Sequence, residues 1–228
     1  MIIKTHRELA EHIAGKRILH MNSLGKDALV SLYWLANYAQ PSKVISVHFK
    51  TLAPQPYDDA YLKYQARQFP NVEFLVEPNA NDVTNVGLGY YQSPIRVMHD
   101  LNKWEYENFS MRQQAEELLK THACDYICLG HSKYEGVARA IKFYKKGLLH
   151  GNSIFPLGLL TKDQVISIIK TSGIKVHPIY KLAKSTLDYP SYWKMRAAML
   201  VNPRYEKDIY SIFPLLRLDK YRYEKLLK

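Results

Sequence analysis

Arg17-Ile18-Leu19-His20-Met21-Asn22-Ser23-Leu24-Gly25-Lys26-Asp27-Ala28-Leu29-Val30-Ser31-Leu32-Tyr33-Trp34-Leu35 is the stretch whose reading decides the fold. Residues 17–22 form a short apolar run, a Ser-Leu-Gly turn follows, and from Asp27 onward the apolar positions recur at helical spacing. The order is strand, tight loop, helix. A helix start leaves backbone N–H groups unsatisfied and carries partial positive charge, so the loop from Asn22 to Ala28 is suited to an anion such as phosphate. Ser23 can donate its hydroxyl to a phosphoryl oxygen, Leu24 and Gly25 carry the turn, and Gly25 lets the backbone come close. Lys26 adds positive charge. Asp27 is the odd member, since a carboxylate repels phosphate unless it holds Mg²⁺ or caps the loop. The loop does not follow the Gly-x-x-x-x-Gly-Lys-Ser/Thr pattern.

Working outward, further strands are expected at Val44 to Phe49, Val72 to Val76 and Tyr126 to Leu129, with helices from about Tyr57 to Phe69 and from near Ser110. Ser110 can cap that last helix, with Gln113 three residues on as in a capping box. Strands alternating with helices predict an α/β fold, a parallel sheet with helices on both faces. Ligands then bind beyond the strand C-termini, and the loops after Met21, Phe49 and Leu129 converge there. Asn79 to Asn108 has no clear periodicity; it reads as an active-site loop or lid, or else as a plain surface insertion. The expected division is 1–150 for the α/β domain that carries the phosphate loop and 151–228 for a C-terminal segment. That segment partly completes the domain and partly forms a small, mainly helical, basic and aromatic extension.

Composition supports a folded protein: 47% of the 228 residues are hydrophobic, 12% aromatic and 23% charged. No run approaches the roughly 20 apolar residues of a membrane span, and no signal peptide is recognisable at the N-terminus. No membrane association and a cytoplasmic location are therefore expected. The balance of 32 basic against 21 acidic residues leaves +11, which favours polyanionic partners. Cys124 and Cys128 are expected on one face of a strand as packing residues, and their spacing is not that of a redox or zinc pair. The nine histidines are scattered, without a ligand pair at helical spacing.

Ser23-Leu24-Gly25-Lys26-Asp27 resembles the S-x-G-K-D-S signature of the PP-loop superfamily, in the variant of the phosphoadenosine phosphosulfate (PAPS) reductase family. Gly130-His131-Ser132-Lys133-Tyr134-Glu135-Gly136-Val137-Ala138-Arg139 is similar to the family's G-x-R-x-x-E-S-x-x-R segment, with Gly130, Glu135 and Arg139 in agreement. Phe155-Pro156-Leu157, Thr161 and Val165, then Pro178-Ile179-Tyr180, follow the family's P-L-x-x-W-T-x-x-D-V and P-L-Y segments more loosely. Several positions depart from it. Ala28, Ser132 and Gly136 replace a serine, an arginine and a serine, and Leu160 and Gln164 replace the tryptophan and the aspartate.

The resemblance implies a Rossmann-like fold of the adenine nucleotide alpha hydrolase type, with ATP or PAPS as ligand and Mg²⁺ beside it. On that reading Ser23, Leu24, Gly25, Lys26, Asp27, Thr51, Gly130, Lys133, Glu135 and Arg139 contact the nucleotide. Lys26, Asp27 and Arg139 serve catalysis, Asp27 holds the metal, Lys133 and Arg139 neutralise charge, and Glu135 orients Arg139. Glu135 and Arg139 could equally form a helix-surface ion pair, and Thr51 could be a turn residue. The reductases carry their nucleophilic cysteine in a C-terminal tail, and no cysteine follows Cys128 here, so a thiol relay is implausible. No iron–sulfur cluster and no zinc are expected.

The leading expectation is transfer of AMP from ATP to an acceptor with release of pyrophosphate. The alternatives are a PAPS-binding sulfur-transfer protein that relies on an external thiol, and a non-catalytic nucleic-acid-binding or scaffold protein. The last rests on Tyr192, Trp193, Lys194, Arg204, Tyr205, Lys207, Arg217, Lys220, Tyr221 and their neighbours, which interleave rings with cations. Oligomeric state stays open.

Overall fold

The computed structural model describes residues 2–82, 110–183 and 192–226. Its sheet consists of β1 (Arg17–Met21), β2 (Lys43–Lys50), β3 (Val72–Pro78), β4 (Tyr126–Cys128), β5 (Leu149–His150) and β6 (Ser153–Ile154), in the order β3-β2-β1-β4-β6-β5. β1 is parallel to β2 and β4, and β4 to β6, while β5 returns antiparallel to β6 at the edge. Ile18 stands opposite Val44 and Tyr126, and His20 opposite Ser46 and Cys128. Ile18, Leu19 and His20 are all buried, as is every residue from Val44 to Phe49. Unbroken burial along a strand means that both faces of the sheet are covered, the usual state of a parallel sheet.

Among the described residues the helices are α1 (His6–Ile13), α2 (Lys26–Tyr38), α3 (Asp58–Gln68), α4 (Met111–Thr121), α5 (Val137–Lys146), α6 (Lys162–Ser172), α7 (Tyr180–Ala183), α8 (Tyr192–Val201), α9 (Tyr205–Ile212) and α10 (Leu216–Leu226). Their starts follow local chemistry. Thr5 and Thr161 form capping boxes with Glu8 and Gln164 at α1 and α6. The box expected at α4 forms as well: the Gln113 N–H donates to Ser110 Oγ at 3.2 Å, and the Ser110 N–H donates to Gln113 Oε1 at 2.8 Å. None of the described helices is long and apolar enough to cross a membrane.

The chain divides into two compact units. The first comprises Met1–His48, Asp59–Val76 and Ala115–His177. Its core packs Leu9 and Ile13 of α1, Leu29, Leu32 and Leu35 of α2 and Val165 of α6 with Ile18, Val44, Cys128 and Ile154 of the strands. Full burial of each such leucine, isoleucine or valine side chain contributes about 1.5–3 kcal/mol. The second unit takes Phe49–Asp58, Glu77–Gln114 and Pro178–Lys228. It has a separate core of Ala53, Ile179, Tyr192, Met195, Ala198, Ile209, Phe213 and Leu216, so the C-terminal helices α8 to α10 have an apolar centre of their own.

Two local expectations change. Cys124 lies before β4 rather than on it: Ala123 takes φ +47, and the Cys124 N–H donates to the Leu119 carbonyl at 2.8 Å, closing the end of α4. Its even spacing from Cys128 therefore carries no shared strand face, although both thiols are buried. The loop or lid expected over Asn79 to Asn108 lies mostly outside the described residues. Within Asn79 to Asp82, Asn79 Oδ1 accepts the Asn81 N–H at 3.0 Å.

Candidate functional site at the start of α2

The loop between β1 and α2 is fixed from below by buried polar groups. Asn22 is 2% exposed. Its N–H donates to the Val47 carbonyl at 2.8 Å, and its amide donates to Ser46 Oγ at 3.1 Å and Gln65 Oε1 at 2.7 Å. Its side-chain oxygen accepts the Leu24 N–H at 3.0 Å, an Asx-type turn that reverses the chain. Leu24 takes the left-handed conformation, φ 58, and its side chain is buried with Tyr61 and Leu62 of α3. The strained position is thus the leucine, held by packing. Gly25 is extended at φ −75 and ψ 163, so its value is not a positive φ.

Gly25 stands at the N-cap of α2 and provides no side-chain cap. The first helical bond runs from the Leu29 N–H to the Gly25 carbonyl at 2.9 Å. A helix opening without a side-chain cap keeps its anion-attracting character. The close backbone approach occurs at Gly130, after β4. A Cβ there would lie 2.9 Å from the Ala28 nitrogen and 2.9 Å from the Asp27 carbonyl carbon. Adjacency of β1 and β4 in the sheet delivers Gly130 to the start of α2.

Beneath the loop, His20 is fully buried. Its Nδ1 lies 3.0 Å from Ser46 Oγ, and its Nε2 lies 3.0 Å from the Ala28 carbonyl and 3.0 Å from Ser31 Oγ. Burial pushes its pKa down to about 4, outweighing the acceptor at Ala28, and the ring is neutral at pH 7. One imidazole therefore joins β1, β2 and the first turns of α2.

Lys26, Asp27 and Tyr134 form a closed triangle. Lys26 Nζ donates to Asp27 Oδ2 at 2.5 Å and to Tyr134 Oη at 2.7 Å, and the Tyr134 hydroxyl donates to Asp27 Oδ1. Lys26 Nζ also lies 5.0 Å from the centre of the Tyr134 ring. Burial alone would lower the Lys26 pKa, but hydrogen bonds to Asp27 and Tyr134 outweigh it and raise it, so the ammonium stays charged. Burial, reinforced by the bond to Asp27, raises the Tyr134 pKa and keeps the phenol protonated. Asp27 is thus compatible with an anion site because its charge is matched by Lys26.

Tyr134 belongs to a short 3₁₀ turn, Lys133–Glu135, that leads into α5. Glu135 Oε2 accepts the Ser132 N–H at 2.9 Å and also pairs with Arg139. The Lys133 N–H donates to the Gly158 carbonyl at 3.1 Å, tying the turn to the segment after β6. His131 reports on the neighbourhood. Burial lowers its pKa first and Arg139 next, with Glu135 and Asp27 opposing, so residues of both motifs act on one ring.

The expected residues sort by these contacts. Ser23, Leu24, Gly25, Lys26 and Asp27 sit at the strand–helix junction, Gly130 packs against it, and Lys133, Glu135 and Arg139 occupy the turn and first turns of α5. Thr51 lies in the loop after β2. Its hydroxyl donates to the Ala53 carbonyl at 3.2 Å and accepts from Gln55 Nε2 at 3.0 Å, bonds internal to that loop. Both carboxylate oxygens of Asp27, the expected metal ligand, are engaged by Lys26 and Tyr134. Tyr134, His20 and His131 were not among the expected site residues. The signals available were a tyrosine five residues before the motif arginine and a histidine inside an apolar strand.

Among solved structures, the chain is similar to the U34-tRNA thiolase NcsA from Methanococcus maripaludis with its [4Fe-4S] cluster, at 14% identity and TM-score 0.51 over 97% of this chain and 79% of that one. It is also similar to phosphoadenylyl-sulfate (PAPS) reductase from Candida auris in a phosphate complex, at 14% identity and TM-score 0.48 over 78% and 84% of the two chains. A third is NH3-dependent NAD synthetase from Campylobacter jejuni subsp. jejuni NCTC 11168 in complex with the nitrate ion, at 15% identity and TM-score 0.48 over 97% and 93%. At 14% identity the likeness to the thiolase is one of fold. No curated protein matches the sequence.

The thiolase corrects the cofactor expectation. An iron–sulfur cluster was set aside because no cysteine follows Cys128, yet a protein of this fold holds a [4Fe-4S] cluster, so kinship with the fold gives no ground for that exclusion. The sequence model of the phosphoadenosine phosphosulfate reductase domain matches residues 17–220, which takes in the strand–helix loop, the Gly130 to Arg139 segment and most of the C-terminal helices. The chain belongs to the phosphoadenosine phosphosulfate reductase domain family.

Proposed function

We propose that the protein is a cytoplasmic nucleotidyl-transfer enzyme that binds ATP at the start of α2 and cleaves it between the α- and β-phosphates. The observation that carries this reading is the Gly25 opening of α2, which lacks a side-chain cap and has the Gly130 backbone pressed against its first turn. Backbone donors arranged in this way bind phosphate without a catalytic side chain. A nucleophilic atom of the acceptor bonds to the α-phosphorus, the bond from that phosphorus to the bridging oxygen breaks, and pyrophosphate leaves with the electron pair. The acceptor loses its proton to solvent. Such chemistry depends chiefly on position and charge compensation.

Ser23 supplies a hydroxyl to the phosphates and Lys26 a fixed positive charge. Tyr134 and Asp27 hold the Lys26 ammonium in place. Arg139, held by Glu135, balances charge on the leaving pyrophosphate. The acceptor is a nucleic acid, met through the basic and aromatic C-terminal helices. Incubation with ATP in magnesium buffer, followed by separation of the products, tests the proposal: AMP and pyrophosphate, or an adenylated nucleic acid, are expected. ADP and phosphate would refute it.

Family membership favours one other reading, in which PAPS is the ligand and a partner supplies the thiol. Parallel titrations with ATP and PAPS separate the two. Preference for PAPS would replace ATP in the reaction above.

A further inference from the structure

The C-terminal unit contains a cleft of about 900 Å³ lined by Pro203, Arg204, Glu206, Lys207, Asp208, Tyr210, Arg217 and Lys220. All of these residues come from α9, α10 and the turn before α9. Four cations, Arg204, Lys207, Arg217 and Lys220, face two carboxylates, Glu206 and Asp208, leaving a local excess of two positive charges. Lys220 Nζ lies 3.3 Å from Glu206 Oε1, so one carboxylate is already matched. The Arg217 guanidinium lies 5.1 Å from the centre of the Tyr210 ring, which keeps its planar face directed. Arg204, Lys207 and Arg217 are exposed.

Tyr210 gives the cleft a second distinguishing feature. The residue is 8% exposed, and its hydroxyl is buried with no hydrogen-bond partner among the described residues. A buried hydroxyl without a partner is costly, and its bonding is completed by an ordered water, an ion or a ligand oxygen that reaches it. The charges of Lys220 and Arg217 act on this residue, and a neutral donor among cations suits a phosphate oxygen.

Exposed aromatic rings stand on α8 and α10 of the same unit. Trp193 on α8 is 48% exposed, with Lys194 Nζ 5.9 Å from its ring, and Tyr221, next to Lys220 on α10, is 61% exposed. Cations for the backbone combined with rings for the bases are the equipment of single-strand binding. A free phosphate or a mononucleotide would use only the cations.

We infer that this cleft is a phosphodiester-binding site that seats the backbone of single-stranded nucleic acid, with Arg204, Lys207 and Arg217 as its principal contacts. The inference rests on the reading above that the acceptor is a nucleic acid, and it names the surface that receives it. This cleft lies wholly within the C-terminal unit, so its contacts differ from those that hold ATP.

The test uses the full chain and a fluorescent mixed-sequence 20-nucleotide single strand, as RNA and as DNA, with anisotropy read over a range of salt. Wild-type affinity is expected to fall steeply with salt, and Arg204→Ala, Lys207→Ala and Arg217→Ala each to weaken binding several-fold and to reduce the log–log salt slope by about one. Tyr210→Phe, which keeps the ring, is expected to weaken binding without changing that slope. ATP affinity should be unchanged in all four variants, and circular dichroism confirms their folding. No binding of either strand by the wild type at low salt would overturn the nucleic-acid reading itself. Binding by the wild type that persists unchanged in the Arg204→Ala, Arg217→Ala double variant would overturn the cleft alone. Competition by inorganic phosphate at concentrations equal to those of the strand's nucleotides would also overturn it, because the site would then recognise a lone anion.

Discussion

Arg139 shows how a residue's role depends on what its partner already does. Glu135 accepts the Ser132 N–H at 2.9 Å as well as pairing with Arg139, so the carboxylate is fixed by backbone before the guanidinium reaches it. A helix-surface pair four residues apart contributes only about 0.3–0.5 kcal/mol. Removing Arg139 should then alter stability little, whereas losing a charge-assisted contact to phosphate should cost more. Arg139→Ala is expected to weaken ATP binding by about 1 kcal/mol or more while leaving the urea midpoint almost unmoved. Calorimetric titration beside a denaturation curve checks this, and unchanged affinity would reduce the residue to a surface pair. The triangle of Lys26, Asp27 and Tyr134 makes the complementary point. An aspartate that looked out of place next to a phosphate loop is neutralised by its neighbour, and only the approach of a tyrosine from a distant loop reveals it.

At the scale of elements, the site is a junction of the loop after β1 with the loop after β4. Strand order brings them together, because β4 lies next to β1 although more than a hundred residues separate them in the chain. Gly130 is the point of contact. Since its added Cβ would meet backbone atoms of Asp27 and Ala28 at 2.9 Å, rotation of a side chain cannot relieve the clash. Gly130→Ala should therefore push the β4 loop away from the start of α2, costing about 1–3 kcal/mol of stability and weakening nucleotide binding with it. Denaturant unfolding and an ATP titration on the same preparation measure both. If neither changes, the two loops are not in contact in solution.

For the molecule as a whole, His20 links the site to global stability. Its folded pKa of about 4 lies below the ordinary 6.5, so the unfolded chain binds the extra proton in the window between those values. The stabilising effect of the neutral, buried ring is fully present above pH 6.5 and is lost progressively as pH falls towards 4. The change from this one residue is about 3 kcal/mol. Urea titrations at pH 7 and pH 4.5 should show the decline, and a His20→Asn variant should show less of it. A His20 ring resonance titrating near pH 6.5 in the folded protein would contradict this account.

Much of this arrangement was legible in the chain itself. Apolar runs of strand length ending in turn residues, and a glycine before a helical periodicity, mark β1, the loop and α2, because those signals are local and act within a few residues. Ser110 with Gln113 identified the start of α4 for the same reason. The Gly130, Glu135 and Arg139 pattern was legible as a motif. The sequence also carried the helical character of the C-terminal region. Tertiary structure alone decided that Leu24 rather than Gly25 takes the left-handed turn, since burial beside Tyr61 and Leu62 holds a leucine where propensity would choose glycine. It decided that Tyr192 is buried while the adjacent Trp193 is exposed, which no alternation of composition fixes. It decided, too, that Asp27 meets Tyr134 and that Gly130 fills the space above Ala28. Each is a contact between segments far apart in sequence, and such contacts are set by strand order and by the shape left between packed elements, quantities that no local run of residues contains.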